Sequence, residues 1–139
     1  MAYCTQDDIE MRIGEADLVA LADYDGDGEP DEEVVQAAIT NACALMDSSL
    51  SVRFSVPLSP VPDVLKARAV NLSVYFLRLG RDSATEDTRR QYDDDLVWLR
   101  EAVQGQVSLG IEPGPPQGAR APGVQYSGKP RLFGRNEPL

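Results

Sequence analysis

The residues best suited to chemistry lie in one short stretch, Asp23-Tyr24-Asp25-Gly26-Asp27-Gly28-Glu29-Pro30-Asp31. Its carboxylates stand at relative positions 1, 3, 5 and 9, with glycine at position 6. Short acid side chains on a tight turn surround a hard cation with oxygen, and this spacing matches the opening of an EF-type calcium loop. Asp23, Asp25, Asp27 and Asp31 are therefore the candidate metal ligands, and calcium the candidate ion. The match then fails. Position 12, where a bidentate glutamate belongs, is Val34, and position 8, usually apolar, is Pro30. Glu33 stands one place early and would need a shifted backbone to substitute. The plainer reading is an Asp/Gly turn whose carboxylates favour the positive end of the next helix, with Asp31 as its cap. Weak cation binding and a purely structural turn both stay open; tight signalling-type binding does not fit.

Asp93-Asp94-Asp95 is the other carboxylate cluster, but on a helix the three point in different directions and read as a solvated face. The chain has no histidine, which removes Ser-His and Cys-His nucleophiles and histidine-ligated metals. No nucleophile elbow, phosphate-cradling glycine loop or cysteine metal site is present. The expectation is a protein that is not an enzyme and has no required cofactor. Cys4 and Cys43 make no disulfide framework, and Cys43, among Ala42, Ala44 and Leu45, reads as a small buried hydrophobe. The acidic, polar opening reads as no secretory signal, and no apolar run approaches a membrane span.

The elements that must hold these residues are helical, and a length of 139 residues suits one domain. Thr5 with Asp8 resembles a capping box for a short helix carrying Ile9 and Ile13, stopped by Gly14. Leu18, Val19, Leu21 and Ala22 form a second short apolar stretch. Val35, Ala38, Ile39, Ala42, Leu45, Met46 and Ser49 recur at helical spacing after Asp31. Asp63 is placed to cap a helix with the stripe Leu65, Ala69, Leu72, Phe76 and Leu79, ending at Gly80. A last helix runs from near Thr85 to Gln104, with Tyr92, Leu96, Leu99 and Val103 inward. The fold expected is all-α: a small bundle of about four to five helices, with long antiparallel helices and an extended C-terminal tail.

Charge divides the chain. The formal net charge is −10, which argues against a basic nucleic-acid-binding face. Residues 1–33 hold twelve acids and one base, whereas 111–139 hold two acids and four bases. That last stretch also carries six of the ten prolines and five of the eleven glycines, so it reads as a tail after a body of residues 1–110. Its apolar residues Tyr126, Leu132 and Phe133 alternate with Lys129, Arg131 and Arg135, and Arg120 precedes them. These seven are the candidate partner-binding residues, since a tail has no core of its own for apolar anchors.

Several pieces, taken in order, resemble a known family: Tyr3-Cys4-Thr5 with Asp7-Asp8, the Asp23–Asp31 loop before a long helix, and Arg53-Phe54 with Pro57-Leu58 and Val61-Pro62. The Tyr75 helix follows, then Arg89-Arg90-Gln91-Tyr92 leading to Leu96, Trp98, Leu99, Gly105 and Leu109-Gly110. The sequence resembles the small head–tail connector (adaptor) proteins of Mu-like phages and prophages. Phe54 stands where a tyrosine is expected and Pro30 where an aliphatic is expected.

The resemblance implies a structural virion protein, made in the host bacterial cytoplasm and located at the virion neck. It implies a homo-oligomeric ring, typically twelve-fold, beneath the portal protein of a DNA-filled head. Such a ring extends the DNA channel and offers a surface to the tail or a stopper protein. DNA would pass through the lumen without sequence-specific binding, and an acidic wall suits that passage because like charges do not stick. The alternative is a calcium-dependent protein-interaction module built on the Asp23–Asp31 loop.

Overall fold

The computed structural model describes residues 2–112 of the chain. Five helices follow in order: α1 (Gln6–Ile13), α2 (Glu15–Ala22), α3 (Glu32–Leu50), α4 (Asp63–Gly80) and α5 (Glu86–Val103). There is no strand among the described residues, so the chain is a small all-α bundle. No helix among them is long and apolar enough to cross a membrane. The expected extended tail and its residues Arg120, Tyr126, Lys129, Arg131, Leu132, Phe133 and Arg135 lie outside the described residues.

The helices start and stop where local chemistry dictates. The Thr5 hydroxyl accepts from the Asp8 amide at 3.3 Å, and the Asp8 carboxylate accepts from the Thr5 amide at 2.8 Å. That reciprocal pair satisfies two orphan donors at the start of α1. Gly14, at φ +91°, ends α1 and opens α2 in a single residue. Thr85 and Thr88 form the equivalent box for α5. Two expected caps differ. Asp31 occupies the N-cap of α3, but its carboxylate turns back to the Tyr24 amide and leaves the helix uncapped by a side chain. Pro62, not Asp63, is the N-cap of α4; Asp63 is its first helical residue and acts through its charge.

α3 and α4 make the spine. The α3 stripe buries Val35, Ala38, Ile39, Ala42, Cys43, Met46 and Leu50 at spacings of one, three and four. Each fully buried aliphatic side chain contributes about 1.5–3 kcal/mol of apolar burial. α4 buries Leu65, Ala69 and Leu72 as expected, but its second half turns a different face inward: Val74, Tyr75 and Leu77 are buried, Phe76 is half-buried and Leu79 is 51% exposed. The cause is α5, which runs antiparallel beside α4: Tyr75 stacks on Tyr92 with ring centroids 4.2 Å apart. The loop between α3 and α4 closes the bundle with Phe54 and Leu58, both buried. Beyond α5, Leu109 is also buried in the core.

Candidate functional site

The Asp23–Asp31 loop is a cluster of inward-turned carboxylates. One oxygen from each of Asp23, Asp25, Asp27 and Asp31 lies within 4.8 Å of the others. Backbone amides hold them there. Asp23 accepts from Gly26 at 2.7 Å, Asp27 at 3.2 Å and Gly28 at 3.0 Å. Asp25 accepts from the Asp27 amide, and Asp27 from the Glu29 amide. Gly28, at the sixth position, has φ +88°, a conformation that glycine alone adopts freely. The Gly28 and Gly26 amides, with a shared hydrogen bond to Asp25, hold the Asp23 carboxyl below its ordinary value. Asp25 shifts the other way. Its bond from the Asp27 amide pulls it down, but desolvation, the bond to Asp23 and the charges of Asp27 and Asp31 outweigh that pull. A proton or a cation both relieve this repulsion.

The four expected ligands therefore do converge, while Glu33 stands apart on α3, exposed, and Val34 packs half-buried against the core. A calcium ion takes six to eight oxygens, so four carboxylates without the twelfth-position glutamate make a partial shell.

An arginine fixes the loop to the bundle. Arg81, just beyond α4, donates through Nε to the Leu21 carbonyl at 3.3 Å and through Nη2 to the Asp23 carbonyl. Its guanidinium also lies 4.0 Å from the Tyr24 ring centroid. Gly80 makes room for this arrangement, because a Cβ there would sit 3.0 Å from the Tyr24 hydroxyl. Arg81 was legible in the sequence only as one more base; nothing in its spacing marks it as the loop's anchor.

The N-terminal segment is also fastened inside. Tyr3 and Cys4 are buried; the Tyr3 hydroxyl donates to Asp47 and accepts from the Leu58 amide at 3.3 Å. Burial, with the Asp47 contact, pushes the Tyr3 hydroxyl well above the usual tyrosine range. Burial likewise raises the Cys4 thiol to about 11, with Ser73 opposing, and raises Cys43. Cys43 is buried, as expected for a small hydrophobe.

The Asp93-Asp94-Asp95 cluster departs from expectation. Asp93 and Asp94 are exposed, but Asp95 is fully buried. Arg68 of α4 meets it at 2.6 Å, and Gln91 donates to it at 3.2 Å. Burial still raises its carboxyl above the ordinary value, against the pull of Arg68, Gln91 and Asn71. Arg68 in turn lies 4.8 Å from the Trp98 ring centroid. The clue was positional: Asp95 precedes Leu99 by four and Ala102 by seven, the spacing of the buried face. On the exposed surface of α5, Arg89 pairs with Asp93, and Arg90 with both Glu86 and Asp87.

Residues 3–126 match the family model described as Bacteriophage Mu, Gp36. The chain belongs to the Gp36 family of Mu-like phages. It is 30% identical to gene product J of Escherichia phage Mu, over 99% of this chain and 97% of that protein. It is 32% identical to the Mu-like prophage FluMu protein gp36 of Haemophilus influenzae, over 76% of this chain and 74% of that protein. The Gp36 match opens at Tyr3, the residue that plugs the gap between α3 and the proline loop. Tyr3-Cys4-Thr5 and Arg53-Phe54, two of the stretches that carry the resemblance, tie this chain's bundle together: Phe54 is buried and Arg53 donates to the Val103 carbonyl at 3.4 Å.

Proposed function

We propose that this Gp36-family phage protein is a structural component of the virion neck, a head–tail connector ring beneath the portal. The observation that carries the reading is its likeness to gene product J of phage Mu over nearly the whole of both chains. The chemistry of the chain is consistent with that role. Its net charge is −10, and an acidic wall in the assembled ring would let a DNA duplex slide. The role requires assembly and no catalysis: copies associate with one another, with the portal protein above and with a tail or stopper protein below. Electron microscopy of lysates after deletion of the gene from its parent phage tests it. DNA-packed or leaking heads beside free, complete tails are expected; intact infectious particles would overturn the reading.

A second reading, a calcium-dependent interaction module, is favoured by one observation, the four carboxylate oxygens within 4.8 Å. Val34 at the twelfth position weighs against it. Calorimetric titration with calcium separates the two: neither heat nor a raised melting temperature removes the module.

A further inference from the structure

Beside the acidic loop, the start of α3 and the end of α4 enclose an open groove of about 320 Å³. Val34 and Ala37 of α3 and Phe76 and Leu77 of α4 supply its apolar surface, and Tyr24, 51% exposed, stands as one wall. Its volume is at the low end for small-molecule pockets, the size for one or two apolar side chains. Its rim is acidic. Glu33 lines it, Glu32 borders the adjoining surface of α3, and Tyr24 belongs to the carboxylate loop, between Asp23 and Asp25.

The chain itself supplies the complement. Residues 1–112 carry 22 acids and nine bases, while 113–139 carry one acid and four bases. Leu132-Phe133 is an apolar pair flanked by Arg131 and Arg135, the reverse of the groove in charge and its match in size. We infer that this groove is the seat of the Arg131–Arg135 stretch of a neighbouring copy, with Phe133 as the anchor and the two arginines facing Glu32 and Glu33. The inference rests on the reading that copies of the chain assemble, and it names the contact. Bodies of like charge repel one another, so association needs counter-charge, and the basic stretch of each copy provides it. Reach is sufficient: an extended chain from Glu112 to Phe133 spans up to about 70 Å, against about 28 Å for the length of α3.

Photo-crosslinking on the full chain tests this, with p-benzoylphenylalanine in place of Phe133 and equal parts of light and nitrogen-15-labelled protein. Links joining light to heavy chains, mapped to α3 and α4 residues of the groove, are expected. Ala37→Lys, at an exposed position on α3, should cut their yield roughly tenfold with the helical circular dichroism unchanged. Glu32→Lys with Glu33→Lys should do the same, and Arg131→Glu with Arg135→Glu in the partner should restore it. Links confined to single chains, or no links, overturn the inference. Links between chains that fall outside the groove overturn it too, while leaving assembly itself standing.

Discussion

The guanidinium of Arg81 lies 4.0 Å from the centroid of the Tyr24 ring while its nitrogens reach the carbonyls of Leu21 and Asp23. One side chain thus caps the end of α2 and braces the carboxylate loop against the end of α4. A planar fork over an aromatic ring is something lysine does not reproduce.

Arg81→Ala should therefore destabilise the protein by about 1–2 kcal/mol, less than the sum of two charged hydrogen bonds and a cation–π contact because water replaces much of each at this exposed site. Arg81→Lys should recover little of it. Hydrogen exchange should quicken at the amides of Gly26, Asp27 and Gly28, and stay unchanged along the middle of α3. An unchanged loop would show that Arg81 is dispensable.

The Arg68–Asp95 pair is buried at its acid end, so its halves should not be equivalent to its removal. Arg68→Met alone leaves a carboxylate without its counter-ion and should cost about 3–5 kcal/mol in urea unfolding. The double variant with Asp95→Leu should be close to wild type or more stable. Additive losses would contradict a coupled pair. Because the native Asp95 carboxyl is raised, the folded state takes up this proton before the unfolded chain does. This group alone should add stability as pH falls from its native value towards 3.8.

Asp8 and Lys66, 3.0 Å apart, set the opposite dependence. Burial nudges the Asp8 carboxyl up, but Lys66 and the Thr5 donors together hold it below 3.8; Lys66 is raised above 10.5 by Asp8. The contribution from Asp8 is complete above 3.8 and lost as pH falls through its lowered native value. That from Lys66 is complete below 10.5 and lost as pH rises through its raised native value. Melting temperature against pH should show both edges in the wild type, and both should soften in Asp8→Asn with Lys66→Met.

Gly105, at φ +83°, follows α5, and a Cβ there would meet Arg53 Nη1 at 2.4 Å. Gly105→Ala should cost about 1–2 kcal/mol through backbone strain and displace Arg53 from the Val103 carbonyl. Arg53→Ala with Gly105→Ala should be less than additive in chemical denaturation.

Much of this arrangement was legible because helix periodicity and local caps are properties of neighbouring residues. The stripe of α3 from Val35 to Met46, the box at Thr5 and Asp8 and the breaks at Gly14 and Gly80 needed no tertiary knowledge. The four loop aspartates were legible too, since their spacing alone forces them onto one turn. What escaped depends on partners far along the chain. The inward face of α4 rotates where α5 meets it, Arg68 lies across from the buried Asp95, and Arg81 pins the loop in which Asp31 turns to Tyr24. The spacing of Asp95 to Leu99 and Ala102 marks its face, but nothing local names a partner such as Arg68 or Arg81, because each lies far away along the chain.

The two native cysteines are buried, with thiols held in their protonated form well past neutral pH. To a maleimide reagent the folded body is therefore silent without any background mutation. A cysteine introduced at an exposed position such as Thr40 or Val97 would be the one that reacts. Distance labels and site-directed crosslinkers can be installed on the wild-type framework, and a sudden gain of labelling at Cys4 would itself report that the N-terminal plug had come undone.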